Sequence, residues 1–264
     1  MIIDEKHRFW LTDEEVEKLR SYFPTPRGKR RVDDKRVLSG IIFVQRTGCR
    51  WRDAPEVYGP HKTLYTRWRR WSKAFWFVEM LQKMSDENKE LVEEDEEIGN
   101  ISMDATYCKA HRTACSLVAH TGELGRLIDR TKGGKNTKLH AVCDGKLRIF
   151  DIHLTDGSAS DYKGAEVLIR RLPKWGRRLL ADKGYDGGQV RKDTRSKGLT
   201  PCIPGRKNRV KTIRYNKKLY KQRNKIERAF GRIKDWRRVA TRYDRCPEMF
   251  LSACALAAIV KFWL

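Results

Sequence analysis

The sequence predicts an α/β fold behind an all-helical N-terminal segment, and three observations carry that expectation. Apolar residues recur at helical spacing over about the first 85 residues, polar and apolar residues alternate from Ile101 to Tyr107, and the later strand candidates alternate with helical stretches. With 264 residues, 39% hydrophobic and 10% aromatic, the chain can build a real core of one large or two modest domains, which excludes a miniprotein and a disordered chain.

In LTDEEVEKLRSYF, Thr12 and Glu15 make a capping box, so a helix starts there. VDDKRVLSGIIFVQRTG opens on acids and closes on Gly48, a natural C-cap, and a third helix spans about Thr63 to Ser72. From Asp86 to Glu97 there are eight acids against the single base Lys89. This shift in composition marks a boundary: residues 1–85 form one domain, 86–97 a linker and 98–264 a second domain. A solvated linker or helix face is the favoured reading of the acidic run, with an autoinhibitory mimic of DNA as the alternative.

Beyond the linker the period becomes two, which puts Asp104 on the polar face of a strand. Lys138 to Cys143 and Leu147 to Leu154 flank the Asp144-Gly145 turn as a hairpin, and a helix runs from Asp161 to Leu172. A short apolar strand from Arg178 to Ala181 delivers Asp182 at its end, where Gly184 and Gly187-Gly188 break the pattern, and Leu199 to Ile203 makes a further strand. Met249 to Leu264, 16 residues containing Lys261, reads as a core helix, too short to span a bilayer. Export is not expected, because MIIDEKHRFWLTDEE lacks the apolar core of a signal peptide. Seven Cys without a C-x-x-C pair read as reduced, intracellular and mostly buried, and the six His show no zinc spacing and read as structural.

The formal charge of +24 calls for a polyanionic partner, nucleic acid or an acidic membrane surface. From Arg191 to Arg242 there are 20 Lys and Arg against Asp193, Glu227 and Asp235, so 20 − 3 = +17 of that charge sits in one stretch, the footprint of a nucleic-acid site. On a helix over residues 219–240, Tyr220, Arg223, Glu227 and Lys234 share a sector of about 60°, beside an apolar stripe of Leu219, Ile226, Phe230 and Ile233. Glu227 then lies at the edge of the packed face, aimed along it, although Arg223 and Glu227 also have the spacing of an ordinary intrahelical pair. Asp104, Asp182 and Glu227 form a candidate set of oxygen ligands for hard divalent cations, which could hold two ions about 4 Å apart. Composition does not choose Asp104 over Asp129, Asp144, Asp151 or Asp156, each of which could be a turn or cap residue.

The segment YKQRNKIERAFGRIK, with Tyr220, Arg223, Glu227 and Lys234 spaced Y-x2-R-x3-E-x6-K, resembles the signature of prokaryotic insertion-sequence transposases of the DDE type, in the insertion-sequence-five group. The resemblance extends through FGRIKDWRRVATRYDR, LLADKGYD, SMDATYCKAHR and TKGGKNTKLHAVCD to LTDEEVEKLRSYFP and TGCRWRDAPEVYGPHKTLYTRWRRW, nearly the whole chain. It implies a ribonuclease H-like catalytic domain with a mixed sheet and flanking helices. It also implies an Asp-Asp-Glu triad of Asp104, Asp182 and Glu227 that binds Mg²⁺ or Mn²⁺, two ions in all. The implied reaction is hydrolysis at terminal inverted repeats to free a 3′ hydroxyl, followed by strand transfer into target DNA. By the same resemblance Arg223, Arg228 and Lys234 touch DNA phosphate, Tyr220 stacks or hydrogen-bonds beside them, and the chain assembles on double-stranded DNA as a homodimer or higher oligomer. No membrane partner is implied; the expected location is the cytoplasm, at the nucleoid.

In the N-terminal helices Tyr65, Arg67, Trp68, Arg69, Arg70 and Trp71 mix cations and aromatics as a helix-turn-helix reader of the repeats would, while Trp68 and Trp71 could equally be core beneath solvated arginines. A host nuclease on the same metal site and a domesticated, non-catalytic DNA-binding protein are the rival readings.

Overall fold

The computed structural model describes residues 8–23, 33–87, 95–116 and 125–264; residues 88–94 of the acidic run, His7 and His120 lie outside the described residues. Helix α1 (Asp13–Arg20) starts on the expected capping box: Thr12 Oγ1 accepts from Glu15 N at 3.1 Å, and Glu15 accepts from Thr12 N at 2.7 Å. Helix α2 (Asp34–Thr47) ends on Gly48 at φ 74°, the left-handed conformation that a residue without Cβ adopts freely. Helix α3 (His61–Lys73) is followed by α4 (Trp76–Asp86), a separate element; between them Phe75 turns the chain at φ 54°.

The sheet is mixed. Strand β1 (Asn100–Ala110) lies at its centre; β2 (Asp129–Thr131), β3 (Gly134–Cys143) and β4 (Ile149–Asp156) follow in sequence. β3 is antiparallel to β1, and both β2 and β4 pair antiparallel with β3, so the expected hairpin forms. After helix α5 (Asp161–Arg171), β5 (Arg178–Leu180) pairs parallel with β1 on its other side, and past helix α6 (Gly188–Ser196), β6 (Thr200–Cys202) extends the sheet parallel to β5.

The helix expected over residues 219–240 is broken into pieces. Helix α7 (Lys217–Tyr220) gives way to one tight turn at Lys221–Arg223, then α8 (Asn224–Lys234), and then Trp236 with an extended backbone at ψ 119° before α9 (Arg237–Ala240). The break has a packing cause: Trp236 is 1% exposed, and a straight continuation could not bury both its ring and the stripe of Ile226, Phe230 and Ile233. A two-residue strand, β7 (Thr241–Arg242), joins the end of β1, and α10 (Pro247–Phe262) closes the fold with Ala253 to Ile259 buried on every side. No helix among the described residues is long and apolar enough to cross a membrane.

Two hydrophobic layers sandwich the sheet. On one face Ile101, Met103 and Val142 pack beneath α5 and α6; on the other Cys108, Leu139 and Ala141 join a core shared by α8, α9, α10 and the N-terminal helices. Trp68 and Trp71 belong to that shared core, so the N-terminal helices are packed onto the elements that follow the sheet. All seven Cys are free, and four of them are buried.

Helix α5 lies so close to β3 that a Cβ on Gly164 would sit 2.2 Å from His140 Nδ1. Gly164→Ala is therefore expected to cost about 2 kcal/mol or more through overpacking, read as a lower denaturation midpoint. His140 is 1% exposed; its Nε2 meets Thr155 Oγ1 at 2.8 Å and its Nδ1 has no hydrogen-bond partner among the described residues. Burial pushes its pKa down to about 4. Below the unfolded value near 6.5 the unfolded chain takes up a proton that the folded chain refuses, so stability falls between about pH 6.5 and 4, by about 3 kcal/mol in all. His140→Gln should flatten that limb of the stability profile.

Candidate active site

The last register shared by the parallel strands β1 and β5 is Ser102↔Leu180. Two residues further along each chain come Asp104 and Asp182, so both acids follow the same pairing at the same pleat phase, beside one another at the end of β5. Within the sheet Asp104 pairs with Ala141 of β3, on the face that α8 covers. Asp182 caps the tight turn Lys183–Tyr185: its Oδ1 accepts from Gly184 N at 2.7 Å, and a Cβ on Gly184 would collide with that oxygen at 2.7 Å.

Helix α8 supplies the third acid, with Arg223 joining it to the sheet. Arg223 Nη1 donates to Asp104 Oδ2 at 2.8 Å while Nη2 donates to Glu227 Oε1. The i,i+4 pair therefore forms, with Arg223 in the tight turn just before α8, and the same guanidinium also reaches across to the strand. Tyr220 lies under it, the guanidinium carbon 5.9 Å from the ring centroid. The Glu227 side chain is 53% exposed, more open to solvent than its position at the edge of the apolar stripe suggested.

Burial pushes the Asp104 carboxyl up to about 6; the Ala105 N–H and Arg223 draw it down, and the like charges of Asp182 and Glu227 raise it further. Asp182 and Glu227 thus both repel Asp104, and a single guanidinium bridges Asp104 and Glu227. Among the described residues no group of three or more His, Cys, Asp or Glu side chains stands ready to hold a metal ion, and Arg223 occupies the carboxylates of Asp104 and Glu227. The donor set itself suits a hard divalent cation: it is all carboxylate, one member is desolvated, and the cation that now satisfies two of them belongs to the protein.

The competing acids have other work. Asp144 accepts from Lys146 N and Arg148 N, each at 2.9 Å, and pairs with Arg148; Asp151 pairs with Arg171 at 2.9 Å, and Asp129 accepts from Ser158 Oγ. Two of the cations expected to contact DNA have partners inside the protein. Lys234 Nζ donates to Thr106 Oγ1 at 2.6 Å and Tyr107 O at 3.0 Å, tying α8 to β1 with bonds that a phosphate would have to displace. Arg67 pairs with Asp34 at 2.8 Å and stacks on Trp71, whereas Arg69, Arg70 and Arg228 are exposed. The end of the acidic run is engaged: Asp95 pairs with Lys146, Glu96 with Arg177 and Glu97 with Lys225. Sequence reasoning missed Asp186, a buried acid four residues beyond Asp182 that accepts from three arginines; its place just before the basic stretch was the available signal.

Residues 11–81 match a family model described as putative transposase of the IS4/5 family, and residues 97–259 match the transposase DDE domain, a domain that generally uses divalent metal ions. A putative transposase for insertion sequence element IS6501 from Brucella ovis is 32% identical over 132 residues, 48% of this chain and 98% of that protein. The uncharacterized protein y4sN of Sinorhizobium fredii is 29% identical over 107 residues, 39% of this chain and 79% of that protein. No solved structure matches the chain.

Proposed function

The chain belongs to the DDE transposases, and from that premise we propose that Asp104, Asp182 and Glu227 are its catalytic carboxylates, acting on the terminal inverted repeats of an insertion sequence. The observation that carries the reading is the parallel register that sets Asp104 beside Asp182, with Glu227 joined to Asp104 through Arg223. A ribonuclease H-like domain is supported by the sheet, in which β4, β3 and β1 run antiparallel in turn and β5 and β6 follow parallel on the far side of β1.

The three carboxylates would hold Mg²⁺ or Mn²⁺, two ions in all, which when bound activate the attacking oxygen and stabilise the leaving one. The chain's own residues set the stage for hydrolysis at the repeat end and for attack of the freed 3′ hydroxyl on target DNA. Asp104 and Asp182 are fixed by backbone N–H groups of Ala105 and Gly184, so two ligands are aimed before any cation arrives. Lys234 holds β1 to α8 and thereby sets Glu227 against Asp104. Arg223 would be freed from the acids by a bound cation and could then meet phosphate, with Tyr220 beneath it and Arg228 exposed on α8. Residues 1–85 read the repeats through Arg69 and Arg70, with Arg67 orienting α3, and the protein acts as a homodimer or higher oligomer on double-stranded DNA at the nucleoid in the cytoplasm. A host nuclease would cut without joining, and a domesticated binder would do neither. Incubation with DNA bearing the repeats that flank the gene tests this: joined products support the reading, cutting without joining selects the nuclease, and binding alone selects the domesticated protein.

A further inference from the structure

We propose that residues 203–216, between β6 and α7, form a clamp on the DNA phosphate backbone, fastened to the Asp182 turn by Asp186, and that the clamp's cations divide into fasteners and contacts. The inference rests on the reading of Asp182 as a catalytic carboxylate. Asp186 is 5% exposed and accepts four hydrogen bonds. Its Oδ1 takes Arg191 Nε at 3.0 Å, Arg191 Nη2 at 2.8 Å and Arg209 Nη1 at 2.7 Å, and its Oδ2 takes Arg206 N at 2.8 Å. Arg191, itself buried, also donates to Ile203 O at 2.8 Å, which pins the base of the segment. Arg206 donates to Gly184 O and Tyr162 Oη, each at 2.9 Å, and to Lys183 O at 3.3 Å. Lys183 and Gly184 are the turn that Asp182 caps. The segment and the candidate ligand are therefore bonded to one piece of backbone.

Arg206 and Arg209 thus use their guanidinium hydrogen bonds inside the protein. Lys207, Lys211 and Arg214, by contrast, are exposed and enter no ion pair or hydrogen bond with the described residues, and Val210 is 100% exposed, so this part of the segment stands clear of the fold. Three cations of one sign, projecting from a support fixed to the Asp182 turn, fit a polyanion whose charges recur at regular intervals, and that is duplex DNA. A buried carboxylate shared by three arginines is an expensive device for an ordinary solvated loop, since each buried charge must be compensated. Its return is a fixed distance between the phosphates held and the bond cut.

The test uses the full chain. Binding to random-sequence duplex DNA in EDTA is measured against salt concentration, and nicking of a supercoiled plasmid that carries the gene with its native flanks is measured with Mg²⁺ at saturating DNA. Lys207→Ala, Lys211→Ala and Arg214→Ala should each flatten the log–log salt slope by about 0.9, and together by nearly three times that. Arg209→Gln should leave the slope and the thermal midpoint near wild type but slow nicking at least tenfold, and Asp186→Asn with Arg209→Gln should be no slower than Asp186→Asn alone. A wild-type slope in the triple variant overturns the contacts. Wild-type nicking by Arg209→Gln, or losses that multiply in the double variant, overturns the fastening and leaves Asp186 as a partner for the buried Arg191 only. Should Asp186→Asn not fold, Arg206→Gln takes its place in the same cycle with Arg209→Gln. If Asp104→Asn nicks as well as wild type, the catalytic reading falls instead, and the slopes alone judge the clamp.

Discussion

Asp104→Asn is expected to yield a folded protein that binds DNA and neither cuts nor joins it, with rates down roughly a thousandfold or more, because a ligand to catalytic cations supplies several kcal/mol of transition-state stabilisation. The amide keeps the shape of the carboxyl and its one acceptor oxygen can keep the bond from Ala105 N; the bond from Arg223 Nη1 is lost, but Arg223 keeps its bond to Glu227, so the fold has no reason to fail. Stability should move the other way from activity. With its pKa at about 6 against an unfolded value near 3.8, the folded state holds the Asp104 proton more tightly than the unfolded chain does. Metal-free stability from this group therefore falls as pH rises from about 3.8 to 6, and by about 3 kcal/mol over that window. Asn does not titrate, so the metal-free variant should denature at a higher midpoint than wild type at neutral pH and converge with it at about pH 4. Added Mg²⁺ should raise the wild-type midpoint and leave that of the variant nearly unchanged. Cutting within tenfold of wild type would remove Asp104 from the triad.

What was legible in the sequence follows from what is local. The capping box at Thr12, the C-cap at Gly48, the period-two run around Asp104 and the Asp144-Gly145 hairpin depend on neighbours a few residues away, and each forms where expected. Family resemblance picked Asp104 from five aspartates; in the structure Asp129, Asp144 and Asp151 are engaged with Ser158, Arg148 and Arg171. The rest depends on distant partners. Helix periodicity could not show that Trp236 would leave the helix to reach the core shared with the N-terminal elements, nor that Lys234 would find Thr106 across 128 positions of chain. Like-charge density likewise hid the division of labour among the arginines: Arg191 is 4% exposed and Arg242 0%, structural cations inside the stretch that reads as a DNA footprint. Charge counts report the field, and only contacts say which cations are free to meet a phosphate.

Arg223→Ala should separate metal binding from catalysis. In the metal-free protein its fork holds Asp104 and Glu227 together, which makes Arg223 the competitor that an incoming divalent ion must displace. Removing it leaves Asp104 facing the like charges of Asp182 and Glu227 without the cation that bridged it to Glu227, so Mg²⁺ should bind more tightly, read as a larger metal-induced rise in thermal midpoint than in wild type. Cleavage should nonetheless fall by about a hundredfold, since two charge-assisted hydrogen bonds, together about 3 kcal/mol, no longer orient Glu227 or reach phosphate. The two roles leave different traces. If Arg223 moves onto DNA, Arg223→Ala weakens binding and flattens the salt slope by about 0.9; if it only orients Glu227, DNA affinity stays at the wild-type value while the rate falls. Arg223→Lys keeps the charge and loses the fork, so recovery of DNA affinity with little recovery of rate would show that bridging two acids, more than carrying a charge, is what this position requires. Tighter metal binding together with a wild-type rate would mean that the guanidinium serves the metal-free fold alone.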